Sequence, residues 1–158
     1  MEALSQIGLE KEGSDNLAEK LNELLANYQI LYMNVRGFHW NIRGESFFEL
    51  HAKFEETYND LLMKVDEIAE RVLTLGSVPV HAYSDYIKDS TIEESENLTN
   101  GAECVSSLLK SFQILLRMQR EILDDAAELS DEGTASLMSD YIKEQEKSIW
   151  MLNAYLGH

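Results

Sequence analysis

The sequence is short of the residues that turn or cross-link a chain. One proline and eight glycines stand among 158 residues, too little punctuation for a fold of many short strands and turns. The single cysteine, Cys104, excludes an internal disulfide, and its place among Ala102, Val105 and Leu108 at helical spacing points to a buried small side chain. Bases are also scarce. Thirteen lysines and arginines face twenty-nine acids, a formal charge of −16, so the average surface repels a phosphate backbone and attracts cations. Solubility alone accounts for such a charge, which by itself does not call for a metal. Apolar runs fall far short of the roughly 18 residues needed to cross a bilayer, and the opening MEALSQIGLEKEG lacks the basic and apolar regions of a signal peptide. The expectation is a cytoplasmic protein with no membrane partner.

What the chain does have is helical periodicity. A length of 158 residues suits one domain, with residues 1–13 as a short N-terminal tail. Leu17, Leu21, Leu24, Tyr28, Leu31, Tyr32, Val35 and Phe38 trace a first helix, A, that ends near Asn41, with Ser14 and Asp15 as capping candidates. After a break at Arg43 and Gly44, the run Phe47, Leu50, Phe54, Tyr58, Leu61, Val65, Ile68, Val72 and Leu75 makes helix B, stopped by Gly76 and Pro79. A long connection follows, with a short helix around Ser84 to Lys88. Helix C carries Val105, Leu109, Phe112, Leu116 and Leu123, and a short acidic link near Ser130 to Gly133 leads to helix D with Leu137, Tyr141, Ile149 and Leu152. Two short links and one long central one predict antiparallel pairs A/B and C/D joined by a crossover. That is an all-α, ferritin-like four-helix bundle whose B–C crossover carries a short extra helix.

Helix B has a second strip, Phe48, Leu62, Ala69 and Leu73, which suggests packing against another subunit. On or beside it lie His51, Glu55, Asp66 and Glu70. His39, late in helix A, comes close to His51 across the short A/B link, and Glu55 lies one turn beyond His51. Two imidazoles and a carboxylate suit Fe²⁺, Zn²⁺ or Mn²⁺ better than Ca²⁺. Asp66 and Glu70 form another i, i+4 carboxylate pair, but Asp66 is roughly 22 Å along the helix from His51. Only two antiparallel copies of helix B about a two-fold axis bring both sets to one ion. Spacing alone leaves a blander alternative: hydrogen-bonded core histidines, with the acids solvated or paired with Lys64 or Arg71. The E-x-x-H pair typical of di-iron bundles is absent.

The segments HWNIRG at His39 to Gly44 and KVDEIAERVLTLG at Lys64 to Gly76, with His51 twelve residues after His39, closely resemble the signature of the Dps family (DNA-binding protein from starved cells). SDYIKDSTI and KSIWMLNAYLG are similar to it too, so the resemblance runs from helix A to helix D. It implies a dodecameric, hollow shell that oxidises Fe²⁺ at di-iron ferroxidase sites between two-fold-related subunits. Hydrogen peroxide is the implied preferred oxidant, dioxygen a slower one, and storage of the ferric mineral protects against oxidative stress. His39 and His51 then match ligands from one subunit, and Asp66 and Glu70 ligands from its partner. Glu55 stands where the family often has Asp. Trp40 is implied near the site, as a quencher of stray oxidising equivalents or simply as an aromatic anchor.

The resemblance also assigns the acidic run Asp124, Asp125, Glu128, Asp131 and Glu132 to the border of three-fold pores, with Asp131 and Asp140 as candidates to draw Fe²⁺ inward. His81 and His158 have no identifiable partner. Two alternatives stand beside iron oxidation. Direct DNA binding is disfavoured, because the first sixteen residues hold one lysine and four acids and LNAYLGH is no basic extension. The other is a non-catalytic interaction bundle in which His39, His51, Asp66 and Glu70 satisfy one another.

Overall fold

Apolar residues three and four apart give each long helix one buried face, and four such faces close on one another. The computed structural model describes residues 3–158. Its helices are α1 Lys11–Asn41, α2 Phe47–Thr74, α3 Tyr83–Asp89, α4 Gly101–Glu128 and α5 Glu132–Leu156. Helices A, B, C and D of the sequence reading are α1, α2, α4 and α5. Among the described residues, extended pairing is limited to isolated bridges, Leu4 with Glu10 and Arg43 with Asn100. None of the described helices is long and apolar enough to cross a membrane. The helices α1 and α2 pack together, as do α4 and α5; α1 also packs on α4 and carries α3. This is the expected all-α bundle with a long connection between its second and third long helices.

Two details depart from the sequence reading. First, α1 begins at Lys11, and the Glu10 carboxylate caps it by accepting from the amides of Glu12 and Gly13 at 2.8 and 2.7 Å. Ser14 is already inside the helix, its hydroxyl donating to the Glu10 carbonyl. The expected tail is therefore helical from Lys11 onward, while Met1 and Glu2 lie outside the described residues. A glutamate reaches N-cap geometry less commonly than serine or aspartate, which is why Ser14 and Asp15 drew the assignment. Second, the buried stripes of α4 and α5 include polar residues that a hydrophobic count passes over. Cys104, Leu108, Leu115, Gln119 and Ile122 are buried, whereas Leu109 and Leu123 are only partly so; in α5, Met138 and Gln145 are buried beside Tyr141.

Those polar core residues satisfy one another. The Tyr28 hydroxyl donates to Gln119 Oε1 at 2.5 Å, Gln119 Nε2 donates to Gln145 Oε1 at 2.7 Å, and Gln145 Nε2 returns to the Tyr28 oxygen at 2.7 Å. Burial raises the Tyr28 phenol well above its ordinary value, so it stays protonated and able to donate. Nearby, the buried Lys64 ammonium lies between Asp60 at 2.5 Å and Glu144 at 2.8 Å and over the Tyr141 ring. A fully buried lysine needs such partners. Cys104 is buried as expected, and burial raises its thiol to about 11, which keeps it an unreactive neutral group.

The crossover is fixed by asparagines on α1. Asn22 donates to the Val78 carbonyl and accepts from the Val80 amide. Asn27 Oδ1 accepts from Thr91 N at 3.0 Å, Ile92 N at 2.9 Å and Ser90 Oγ at 3.2 Å. Asn34 donates to the Glu93 carbonyl and accepts from Ser95 N, both at 2.9 Å. Irregular chain laid over a helix must find partners for its amides, and these side chains supply them. An Asn27→Ala variant should lose about 2–3 kcal/mol of stability in denaturant unfolding, because the Ile92 amide is left unpaired. Hydrogen exchange at Ile92 should quicken in parallel; unchanged exchange there would show that Asn27 is not what holds this segment.

Candidate metal centre

The link between α1 and α2 is five residues, 42–46. Gly44 adopts φ +109°, a region disfavoured for residues with a Cβ, and the Ile42 amide closes the end of α1 on the Phe38 carbonyl. So short a turn brings the last turn of α1 against the first turns of α2. His39 and His51 meet there with rings stacked, centroids 3.8 Å apart and planes within 12°.

Their hydrogen bonds are reciprocal. His39 Nδ1 lies 2.6 Å from the His51 carbonyl oxygen, and His51 Nδ1 lies 2.7 Å from the His39 carbonyl oxygen. A carbonyl can only accept, so each Nδ1 carries a proton, and Nε2 is the nitrogen left to offer a lone pair. Carbonyl partners that set the ring tautomer are a regular feature of metal-binding histidines. The structure thus has two nitrogen donors fit for a borderline cation such as Fe²⁺. His39 is 7% exposed. Tyr58 meets the edge of its ring at 5.3 Å, and Phe47 stacks on His51 at 5.0 Å.

The predicted acids are distributed otherwise. Glu55, Asp66 and Glu70 are exposed on α2. Neither Asp66 nor Glu70 pairs with the bases that sequence proximity offered: Lys64 is taken by Asp60 and Glu144, and Arg71 by Asp131. Among the described residues, no three His, Cys, Asp or Glu side chains converge to hold a metal within one chain, so Glu55 does not join the histidine pair here. At 100° per residue, His51, Glu55, Asp66 and Glu70 fall within about 100° of arc on α2. Phe48, Leu62 and Leu73 share that arc and are 79%, 48% and 57% exposed.

Asp131 departs from its expected role at a pore. It is 2% exposed and caps α5: Oδ1 accepts from the Thr134 amide at 3.0 Å and from Arg71 Nη2 at 2.6 Å, and Oδ2 accepts from the Thr134 hydroxyl. Both oxygens are committed to the fold, and an acid just before a helix is where an N-cap belongs. Asp140 is exposed on α5, as are Asp124, Glu128 and Glu132 on either side of the link, while Asp125 pairs with Lys20. His81 and His158 are exposed and away from the pair.

Beside the histidines stands a cation, a residue type that metal-ligand spacing does not select. Arg36, half-buried, places its guanidinium carbon 5.6 Å from the Tyr32 ring, 4.9 Å from Trp40 and 5.1 Å from Tyr58. The signal was present in the sequence as Tyr32, Arg36 and Trp40 at successive i, i+4 steps.

Residues 18–158 match the ferritin-like domain model of the ferritin family. A protein of Haemophilus influenzae is 58% identical over 150 residues, spanning 95% of this chain and 94% of that protein. The DNA protection during starvation protein of Porphyromonas gingivalis is 41% identical over 152 residues, 96% of each chain. The crystal structure of a Dps protein from Vibrio cholerae, described as one of the ferritin-like diiron-carboxylate proteins, superposes with a TM-score of 0.97 at 55% identity, covering 99% of this chain and 98% of that one. With its bundle, its crossover and nearly its full length shared with these proteins, the chain belongs to the Dps family of ferritin-like proteins.

Proposed function

We propose that this protein oxidises Fe²⁺, preferably with hydrogen peroxide, and stores the ferric product inside a hollow shell of identical subunits. One observation carries the reading: the His39–His51 pair, in which each ring is locked by the other residue's carbonyl with Nε2 left to donate. Iron is the substrate. Two Fe²⁺ held together deliver two electrons to one peroxide, which with two protons leaves as two waters, so no hydroxyl radical is released. His39 and His51 supply nitrogen from one chain, and Asp66 and Glu70 supply oxygen from its two-fold partner; Glu55 is placed to reach the metal or a bridging water.

Three features support sharing of the site between chains. Among the described residues Asp66 and Glu70 form no ion pair, Asp66 lies about 22 Å from His51 along one rod, and the same arc of α2 exposes Phe48, Leu62 and Leu73. A dodecameric shell is proposed from the family, as is a cytoplasmic setting and protection from oxidative stress. Entry of Fe²⁺ through acidic pores is assigned to the exposed acids, with Asp140 the better candidate and Asp131 a support that holds the adjoining helix ends.

A His39→Ala/His51→Ala variant should keep its particle size yet oxidise Fe²⁺ at least about tenfold more slowly, followed by ferric absorbance. Unaltered kinetics would reject this site. Co-assembly offers a sharper measurement. When that variant is mixed in equal amounts with Asp66→Asn/Glu70→Gln, half of the two-fold pairs are hybrid and each hybrid has one whole site, so about a quarter of full activity should return. A site built within one chain would recover none.

The name of the Porphyromonas gingivalis relative raises DNA protection as a second reading. Direct binding is opposed by the −16 charge and by the scarcity of bases before α1. In a mobility-shift assay at low salt, duplex DNA should migrate unretarded; a shift that fades as salt rises would establish an electrostatic contact that this surface does not lead us to expect.

A further inference from the structure

Arg36 is surrounded by rings rather than by acids. Among the described residues it makes no ion pair, its Nη1 donates to the Tyr32 hydroxyl at 2.8 Å, and its Nε is buried without a hydrogen-bond partner. Its charge is therefore left to act on the faces of Tyr32, Trp40 and Tyr58. These rings lead back to the candidate centre, for Tyr58 touches the edge of His39, and Tyr32 meets Tyr58 edge-on at 6.0 Å.

A cation over an aromatic face is held by the negative charge of the π system. Removing one electron from an indole destroys that attraction and sets a positive ring against a positive guanidinium. A phenol behaves differently, because it gives up its proton with the electron and ends neutral. The same charge therefore opposes oxidation of Trp40 more than oxidation of Tyr58 or Tyr32. We propose that Arg36 is a positioning residue for oxidising equivalents, shielding Trp40 from electron loss and directing a hole that leaves the His39 side onto the two tyrosines.

The occasion for this arises when one Fe²⁺ meets peroxide alone, and to that extent the inference rests on the proposed iron chemistry. The single electron cleaves the O–O bond, leaving Fe³⁺, hydroxide and hydroxyl radical. The radical takes a hydrogen atom from the Tyr58 phenol, giving water and a neutral tyrosyl radical. A later Fe²⁺ returns an electron, a proton restores the phenol, and the protein is unchanged. Damage to an indole is not so readily reversed. Trp40 thereby becomes the residue protected, in place of the quencher that the resemblance implied.

The test needs no iron, so its result is separate from that of the ferroxidase assays. In a Trp150→Phe background, the assembled protein is exposed to azide radical, a one-electron oxidant, and the oxidised product at Trp40 is measured by peptide mass spectrometry. Arg36→Met, which keeps bulk but not charge, should raise the yield at Trp40 by about tenfold or more, and Arg36→Lys should restore most of the protection. Both variants are checked for the parent's helical content and particle size. Equal yields in the parent and Arg36→Met would overturn the inference, as would protection by Met equal to that by Lys, which would mean steric cover. An untouched Trp40 in all variants overturns it as well, since the charge would then have nothing to shield.

Discussion

The last turn of a helix has carbonyls that no amide of its own can reach, and the centre described above is built on that shortage. The His39 carbonyl is one of them, and the imidazole of His51 supplies its proton donor. The reverse bond, from the His39 ring to the His51 carbonyl, fastens the second helix to the first. A helix terminus is thus capped, a turn is pinned and two ring tautomers are chosen by one pair of contacts. The two rings need no separate scaffold to orient them, because the bonds that orient them also join α1 to α2.

The fold and the meeting of the two histidines were legible in the sequence. Steps of three and four in the apolar residues mark the four long helices, and link lengths give their order. The two histidines stand at the ends of a link too short to keep them apart. Polar residues with structural duties were less legible. Gln119 and Gln145 read as solvent-facing in any hydrophobic count, yet they close a ring with Tyr28 in the middle of the bundle. Asp131 belonged to an acidic run that suggested a charged opening, but an aspartate placed before a helix satisfies that helix first, and Arg71 completes its burial. A sequence shows the charge of such a residue before it shows its partner.

The bundle joins its helix pairs in two chemically distinct ways. Between α2 and α5 most polar contacts end on a carboxylate: Lys64 bridges Asp60 and Glu144, Arg71 meets Asp131 as well as the Thr134 hydroxyl, and the Tyr141 hydroxyl donates to Glu67. Arg120 and Glu146 join α4 to α5 in the same manner at the surface. Few bases are available in this chain, and several of them are spent on holding helices together. Asp66 and Glu70 face outward, and among the described residues neither forms an ion pair.

The connection over α1 is held by another kind of contact. Asn22, Asn27 and Asn34 grip backbone amides and carbonyls with groups that neither ionise in the biological range nor attract counterions. The strap around α1 therefore needs no charge, and it draws on none of the bases that the seam between α2 and α5 uses. In a chain so poor in cations, neutral amides secure the longest irregular stretch and leave the lysines and arginines for the places where one helix must be matched to another.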